Sequence, residues 1–281
     1  MTRSSIQIRR CAGALGAEIS GVDLRSPDDA TIAELKTLLA EHQVLFFRDQ
    51  PLEPLEQEAF GKRFGTLQVH PAYPHPPGAD AVTILEHTAD KPSRIGEWHT
   101  DMTYGPTPPL GSILQAYIVP DVGGDTLFAS MEAAYDGLSP GMRRYLDPLK
   151  AVHSFAYGFR HSLAGPEGHR LQQAVRDNPP TVHPVIRVHP VSGRRCIFVN
   201  PLFTTHIVGV PEPESKAILE FLFAHAVSAE YTVRFAWTPR AIAFWDNRST
   251  QHRPVNDHGL QHRMLHRVTV DGDRPRGPTD G

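Results

Sequence analysis

The chain has 281 residues and a mass of 31.1 kDa, enough for one large core or two smaller ones. Its 40% hydrophobic and 21% charged residues are ordinary for a soluble globular protein, and a formal net charge of −3 argues against a nucleic-acid or anionic-membrane partner, which needs a basic footprint. Two cysteines, Cys11 and Cys196, make no disulfide framework. With no apolar signal core at the start and no run near the roughly 20 apolar residues of a membrane helix, this suggests a reducing cytoplasm.

The 26 prolines and 22 glycines are scattered, which predicts many short segments and a β-rich fold with long loops. Asp28 or Asp29 can cap a helix running to about His42, with Ile32, Leu35, Leu38 and Leu39 on one face. Residues 43–47 read as a buried strand and 53–64 as a second helix. Strands follow at 81–85, 112–119 and 126–129. Residues 130–149 read as helical, broken at Pro140. Residues 156–180 are irregular, polar and rich in Gly, Pro and charge, which reads as either a lid or a disordered insertion. Strands return at 185–189, 195–199, 231–237, 241–245 and 264–270. One helix, 212–227, interrupts them, with Leu219, Phe221, Leu222 and Phe223 forming an apolar stripe. Residues 272–281 read as a loose tail. The pattern predicts an α+β chain with a double-sheet core flanked by helices. A jelly roll, or double-stranded β-helix, fits because its interior can hold a metal and a ligand. No boundary marks a second domain, so 1–281 reads as one.

Trp98-His99-Thr100-Asp101 holds the only His-x-Asp among 16 histidines. In an extended segment, residues two apart share a face, so His99 and Asp101 can present an imidazole and a carboxylate to one ion. The bland alternative is a surface histidine beside a capping aspartate. A second histidine could come from the C-terminal region, where His252, His258, His262 and His266 are all available and spacing does not choose among them. Two histidines and a carboxylate on one side of an ion, with open positions opposite, form the arrangement of non-haem Fe(II) oxygenases. Arg263 is a fixed cation suited to gripping a carboxylate. On a strand, Arg263, Leu265 and Arg267 share one face and Met264, His266 and Val268 the other. Inward-facing arginines in that apolar context need anionic partners.

Taken together, the motifs reach a known family. The chain resembles the taurine dioxygenase group of Fe(II)/2-oxoglutarate-dependent oxygenases over almost its full length. The resemblance rests on Gly16-Ala17-Glu18-Ile19-Ser20-Gly21-Val22-Asp23-Leu24, Val44-Leu45-Phe46-Phe47-Arg48-Asp49-Gln50, Trp98-His99-Thr100-Asp101, Gly123-Gly124-Asp125-Thr126, His183-Pro184-Val185, Phe198-Val199-Asn200, Phe203-Thr204-Thr205, Trp245-Asp246-Asn247-Arg248-Ser249-Thr250-Gln251-His252 and His262-Arg263-Met264-Leu265-His266-Arg267. It implies that His99, Asp101 and His252 hold Fe(II). It also implies that Arg263 pairs with the distal carboxylate of 2-oxoglutarate and that Thr126 hydrogen-bonds the same group. His70 and Arg267 match the family's sulfonate pocket, and Tyr73, Phe159 and Phe203 its aromatic lining. Trp245 and Asp246 fall where packing and orienting groups are expected.

The implied reaction is O2-dependent hydroxylation of taurine or a related alkanesulfonate at the sulfonate-bearing carbon. It releases sulfite and an aldehyde, with succinate and CO2 from 2-oxoglutarate. The same chemistry on an alkyl sulfate ester or an aryloxyalkanoate is the alternative. A metal hydrolase or cupin-like binding protein with the same triad is a third reading, and Arg263 with Thr126 argues against it. One departure bears on the substrate: where taurine enzymes carry a polar Asp-Asn pair shortly before the first metal-binding motif, this chain has Arg94-Ile95. An arginine lining the pocket there would repel a substrate ammonium. A homo-oligomer is expected for a soluble enzyme of this kind.

Overall fold

The computed structural model describes residues 6–69, 73–92, 95–165 and 168–280. In chain order its strands are β1 (Gln7–Arg10), β2 (Ala17–Ser20), β3 (Val44–Phe47), β4 (Val82–His87), β5 (Gly111–Ile118), β6 (Thr126–Ser130), β7 (Lys150–His153), β8 (Thr181–Pro184), β9 (Ile186–Val188), β10 (Arg195–Ile197), β11 (Thr204–Ile207), β12 (Thr232–Phe235), β13 (Ile242–Asp246), β14 (Thr250–Pro254) and β15 (Arg263–Val270). The helices are α1 (Asp29–His42), α2 (Pro54–Lys62), α3 (Met131–Asp136), α4 (Pro140–Leu146), α5 (Phe155–Gly158), α6 (Arg160–Leu163), α7 (Gln172–Asp177) and α8 (Glu212–Ala226). The architecture is therefore α+β.

Seven strands form the main sheet in the order β1-β2-β3-β13-β5-β15-β4. Every pair in it is antiparallel except β2 with β3. Strand side chains alternate between faces, and each face of this sheet meets a different layer. From β3, Leu45 and Phe47 join Ile113, Phe244 and Val268 under the apolar sides of α1 and α2, contributed by Leu35, Leu38, Leu39 and Phe60. Val44 and Phe46 point the other way, with Leu114, Trp245 and Leu265, onto Phe128 and Phe235. Those two belong to a three-stranded sheet of order β12-β6-β14. The main sheet is thus covered on both sides, which explains why β3 is buried at all four positions. A further cluster packs α3 and α8 against β7, β9, β10 and β11.

Local chemistry fixes the helix ends. The Asp28 carboxylate accepts from the Thr31 N–H at 2.7 Å to start α1. Gln43 ends it in the left-handed region, at φ 65°. Glu56 accepts from the Glu53 N–H at 2.8 Å to close a capping box on α2.

Three expectations are corrected. Residues 156–180 are not irregular: α5, α6, a 3-10 turn at Gly168–Leu171 and α7 fill the described part of the segment. Each is one or two turns long, too short to print a helical period in the sequence. The described part of the tail, residues 272–280, is not loose either. The Val188 N–H donates to the Arg276 carbonyl at 2.8 Å, and Asp273 pairs with the buried Arg187 at 2.6 Å. On α8, Leu219 and Leu222 are buried but Phe221 is exposed, so the stripe is narrower than the composition suggests. Among the described residues, no helix is long and apolar enough to cross a membrane.

Candidate metal centre and its pocket

His99 and His252 lie opposite each other in a two-residue antiparallel bridge. The His99 N–H donates to the His252 carbonyl at 3.0 Å, and the His252 N–H returns the bond at 2.8 Å. This bridge is made from within β14, the outer strand of its sheet, and brings two imidazoles from distant parts of the chain to a centroid separation of 4.2 Å. Asp101 follows on the same side as His99. Its Oδ1 lies 3.8 Å from His99 Nε2 and 3.8 Å from His252 Nε2. The three ligand atoms lie within 4.8 Å of one another, and all three residues are buried.

The surroundings prepare these groups as ligands. His99 Nδ1 donates to the Glu97 carbonyl at 3.0 Å, which leaves Nε2 with its lone pair facing Asp101. Burial lowers the pKa of His99. Burial, with the neighbouring His99 adding to it, brings His252 down to about 3. Both imidazoles are therefore neutral near pH 7, the form that binds metal. Burial alone would raise Asp101, but His252, Arg267, His99 and the Ser112 hydroxyl outweigh it and hold the carboxyl below the usual carboxylate range. The donor set of two neutral imidazoles and one carboxylate suits Fe(II). His252 Nδ1 is buried with no hydrogen-bond partner among the described residues, so its ring orientation comes from packing against Trp245, 4.6 Å between centroids.

The triad opens into a cavity of about 430 Å³ that also contains Thr126, Arg263, Leu265 and Arg267. On β15, Arg263, Leu265 and Arg267 face the cavity while His266 packs on Tyr117 at 3.8 Å, as the two-residue period predicts. Arg263 is 4% exposed. Its Nε donates to the Gly124 carbonyl at 3.1 Å, and its Nη2 has no partner among the described residues. Burial lowers it to about 10, so it remains a cation. The Thr126 hydroxyl oxygen accepts from Trp237 Nε1 at 3.0 Å, which leaves its hydrogen to donate. Arg267 Nη1 donates to Asp101 Oδ1 at 3.4 Å, and its Nε is unpartnered among the described residues.

Tyr73, Phe159 and Phe203 line the same cavity. Of the candidate site residues, nine come together around one space; His70 lies outside the described residues. So does Arg94, but Ile95 lines the cavity. Trp245 belongs to the site, whereas Asp246 turns away from it to accept from Arg248 and pair with His189 at 3.0 Å.

A family model described as taurine catabolism dioxygenase TauD, TfdA family, matches residues 7–269. The chain belongs to this family of dioxygenases. It is 37% identical to an alkylsulfatase of Acinetobacter baylyi over 97% of this chain and 87% of that protein. It is also 37% identical to an alpha-ketoglutarate-dependent sulfate ester dioxygenase of Pseudomonas putida, over 97% and 91%. A crystal structure of a taurine dioxygenase from Burkholderia xenovorans superposes with a TM-score of 0.85 at 37% identity, covering 99% of this chain and 93% of that one.

Several residues of this dioxygenase's pocket carry no signal in the sequence. Met102, Tyr104 and Leu202 join the wall, with Tyr104 edge-on to Phe155 and Phe203 at 5.0 and 5.1 Å. An aromatic in a β-rich chain reads as core, and here Tyr104, Leu202 and Phe203 pack with Phe155 of α5 in one cluster beside the cavity.

Proposed function

We propose that this dioxygenase uses Fe(II), 2-oxoglutarate and O2 to hydroxylate the carbon that bears the acidic group of a small alkanesulfonate, releasing sulfite and an aldehyde with succinate and CO2. The observation that carries the reading is one cavity holding two neutral imidazoles and a carboxylate beside a buried arginine, one of whose nitrogens has no partner among the described residues. A hydrolase has no need for that second cation.

In this reading His99, Asp101 and His252 hold the metal. Fe(II), when bound, supplies the centre at which O2 oxidises 2-oxoglutarate and hydroxylates the substrate carbon. Arg263 and the Thr126 hydroxyl grip the distal carboxylate of 2-oxoglutarate, which fixes the angle at which the keto acid approaches the triad. Arg267, with His70, binds the sulfonate and aims the reacting C–H. Tyr73, Phe159 and Phe203 hold the carbon chain and exclude water. Among the described residues, Glu97 and Glu86 are the carboxylates of the cavity besides Asp101, and they pair with Arg160 and His262. With Ile95 apolar, the lining offers little to an ammonium and favours an amine-free alkanesulfonate over taurine. The alkyl sulfate reading has its own support in the two relatives named for sulfate esters; there the same hydroxylation releases sulfate. The main sheet and the β12-β6-β14 sheet, packed face to face, are read as the two halves of a jelly roll, with 1–281 as one domain and 156–180 closing over the substrate.

The test is succinate formation in the presence of Fe(II), with sulfite and sulfate measured separately over a panel of taurine, alkanesulfonates and alkyl sulfates. Sulfite release coupled to succinate from an alkanesulfonate supports the main reading. Sulfate release from alkyl sulfates alone moves the substrate, and no succinate with any of these anions refutes the reaction.

A further inference from the structure

The two oxygens of Asp101 stand in different surroundings. Oδ1 faces His99, His252 and Arg267. Oδ2 is taken up on the other side. Ser112 Oγ donates to Oδ2 at 2.8 Å, and Asn247 Nδ2 donates to it at 3.4 Å and to Ser112 Oγ at 3.3 Å. The orientation of the Asn247 amide is itself fixed. Its Oδ1 accepts from Trp245 Nε1 at 3.0 Å and from the Asp101 N–H at 3.3 Å, so Nδ2 has to face the carboxylate. Ser112 is fully buried and Asn247 is 1% exposed, so no water competes for these bonds.

We infer that Asn247 and Ser112 are positioning residues that hold Asp101 as a one-oxygen ligand, an inference that rests on the metal-centre reading. A carboxylate free to swing would offer both oxygens and consume a coordination position that 2-oxoglutarate or O2 requires. Satisfying Oδ2 with two donors stops that rotation. Three elements converge to do it: Ser112 comes from β5, Asn247 from the turn after β13, and Trp245 from β13. That turn is braced on its far side by Asp246, which accepts from the Arg248 side chain at 2.6 and 2.8 Å.

The experiment is anaerobic titration of the metal-free protein with Co(II), followed by its ligand-field absorption and, in parallel, by the melting temperature of the metal-free form. The unmodified protein, Asn247→Asp and Ser112→Ala are compared. Asn247→Asp keeps the shape but replaces the donor facing Oδ2 with an acceptor; Ser112→Ala removes the other donor. Each is expected to weaken Co(II) binding by roughly 10–100-fold and to shift the absorption bands, because the coordination of Asp101 changes. Co(II) affinity and bands equal to those of the unmodified protein in both variants overturn the inference, even if their melting temperatures fall. If Asn247→Asp fails to fold, Ser112→Ala decides alone. If the unmodified protein binds no Co(II), the metal-centre reading itself fails, which is a different result from unchanged binding in the variants.

Discussion

Arg263 is a buried cation with one nitrogen bonded to Gly124 and another without a partner among the described residues, a state that is unfavourable until an anion arrives. Arg263→Ala is expected to raise the apparent KM for 2-oxoglutarate on the scale of about 2–5 kcal/mol, as for truncating one partner of a buried charge pair. An unchanged KM, read from succinate formation, sinks the assignment. Arg267→Ala is expected to impair substrate use while slow, substrate-independent succinate formation persists. Loss of that background as well would mean that the contact with Asp101 is structural. His99→Ala should abolish metal binding, and retained turnover would remove His99 from the site. Most of these residues are legible in the amino-acid sequence. His99, Asp101 and Arg263 stand in short motifs whose chemistry is readable from residue type, and the order of motifs singles out His252 from four candidates. Ser112 and Asn247 are not legible there, because a serine in a strand and an asparagine in a turn are common, and only their convergence on one carboxylate oxygen gives them meaning.

At the scale of elements, apolar runs are decisive and polar strands are invisible. Val44–Phe47 and Gly111–Ile118 announce themselves because both faces of the main sheet are covered. Thr250–Pro254 does not. Its Thr250, Gln251 and His252 are buried but owe that burial to hydrogen bonds, as in Gln251 Nε2 to the Val199 carbonyl at 2.9 Å. The short helices of the 156–180 segment escape for lack of length. Here the close approach of α5 to Phe203 has a testable consequence. A Cβ added at Gly158 would overlap the buried Phe203 ring, so Gly158→Ala must push a wall of the cavity. It is expected to raise the KM for the sulfur-containing substrate several-fold and leave the KM for 2-oxoglutarate unchanged. Equal effects on both would show that the ring is not part of the substrate wall.

For the whole molecule, buried and half-buried histidines set the response to acid. Burial is the leading cause for His87, His183 and His266, each lowered to about 4. The ordinary value is about 6.5 in the unfolded chain. The unfolded state therefore binds more protons than the folded state between those values, and stability must fall as pH drops from about 6.5 toward 4. Denaturant titrations of the metal-free protein near pH 5 should show uptake of about three protons or more on unfolding; uptake near zero contradicts the burial of these rings. The C-terminal segment adds a second dependence. Arg187 is fully buried and Asp273 is its ion-pair partner. Asp273→Ala is expected to destabilise the fold by about 3–5 kcal/mol, the scale for stranding a buried charge, and a loss below about 1 kcal/mol in the same titration would show that Arg187 is satisfied elsewhere.

The strand order of the main sheet has a bearing on how the chain is made. A ribosome releases β3, β4 and β5 early, yet these strands do not pair with one another: β13 must slot between β3 and β5, and β15 between β5 and β4. Until those late strands emerge, the early ones present open, apolar edges to the cell, the kind of surface that invites aggregation or chaperone capture. The pocket has the same timetable, since the His252 imidazole, Arg263 and Arg267 arrive on the last strands. Nascent chains stalled before residue 242 should accordingly remain protease-sensitive and chaperone-bound, and fold only on release of the remainder.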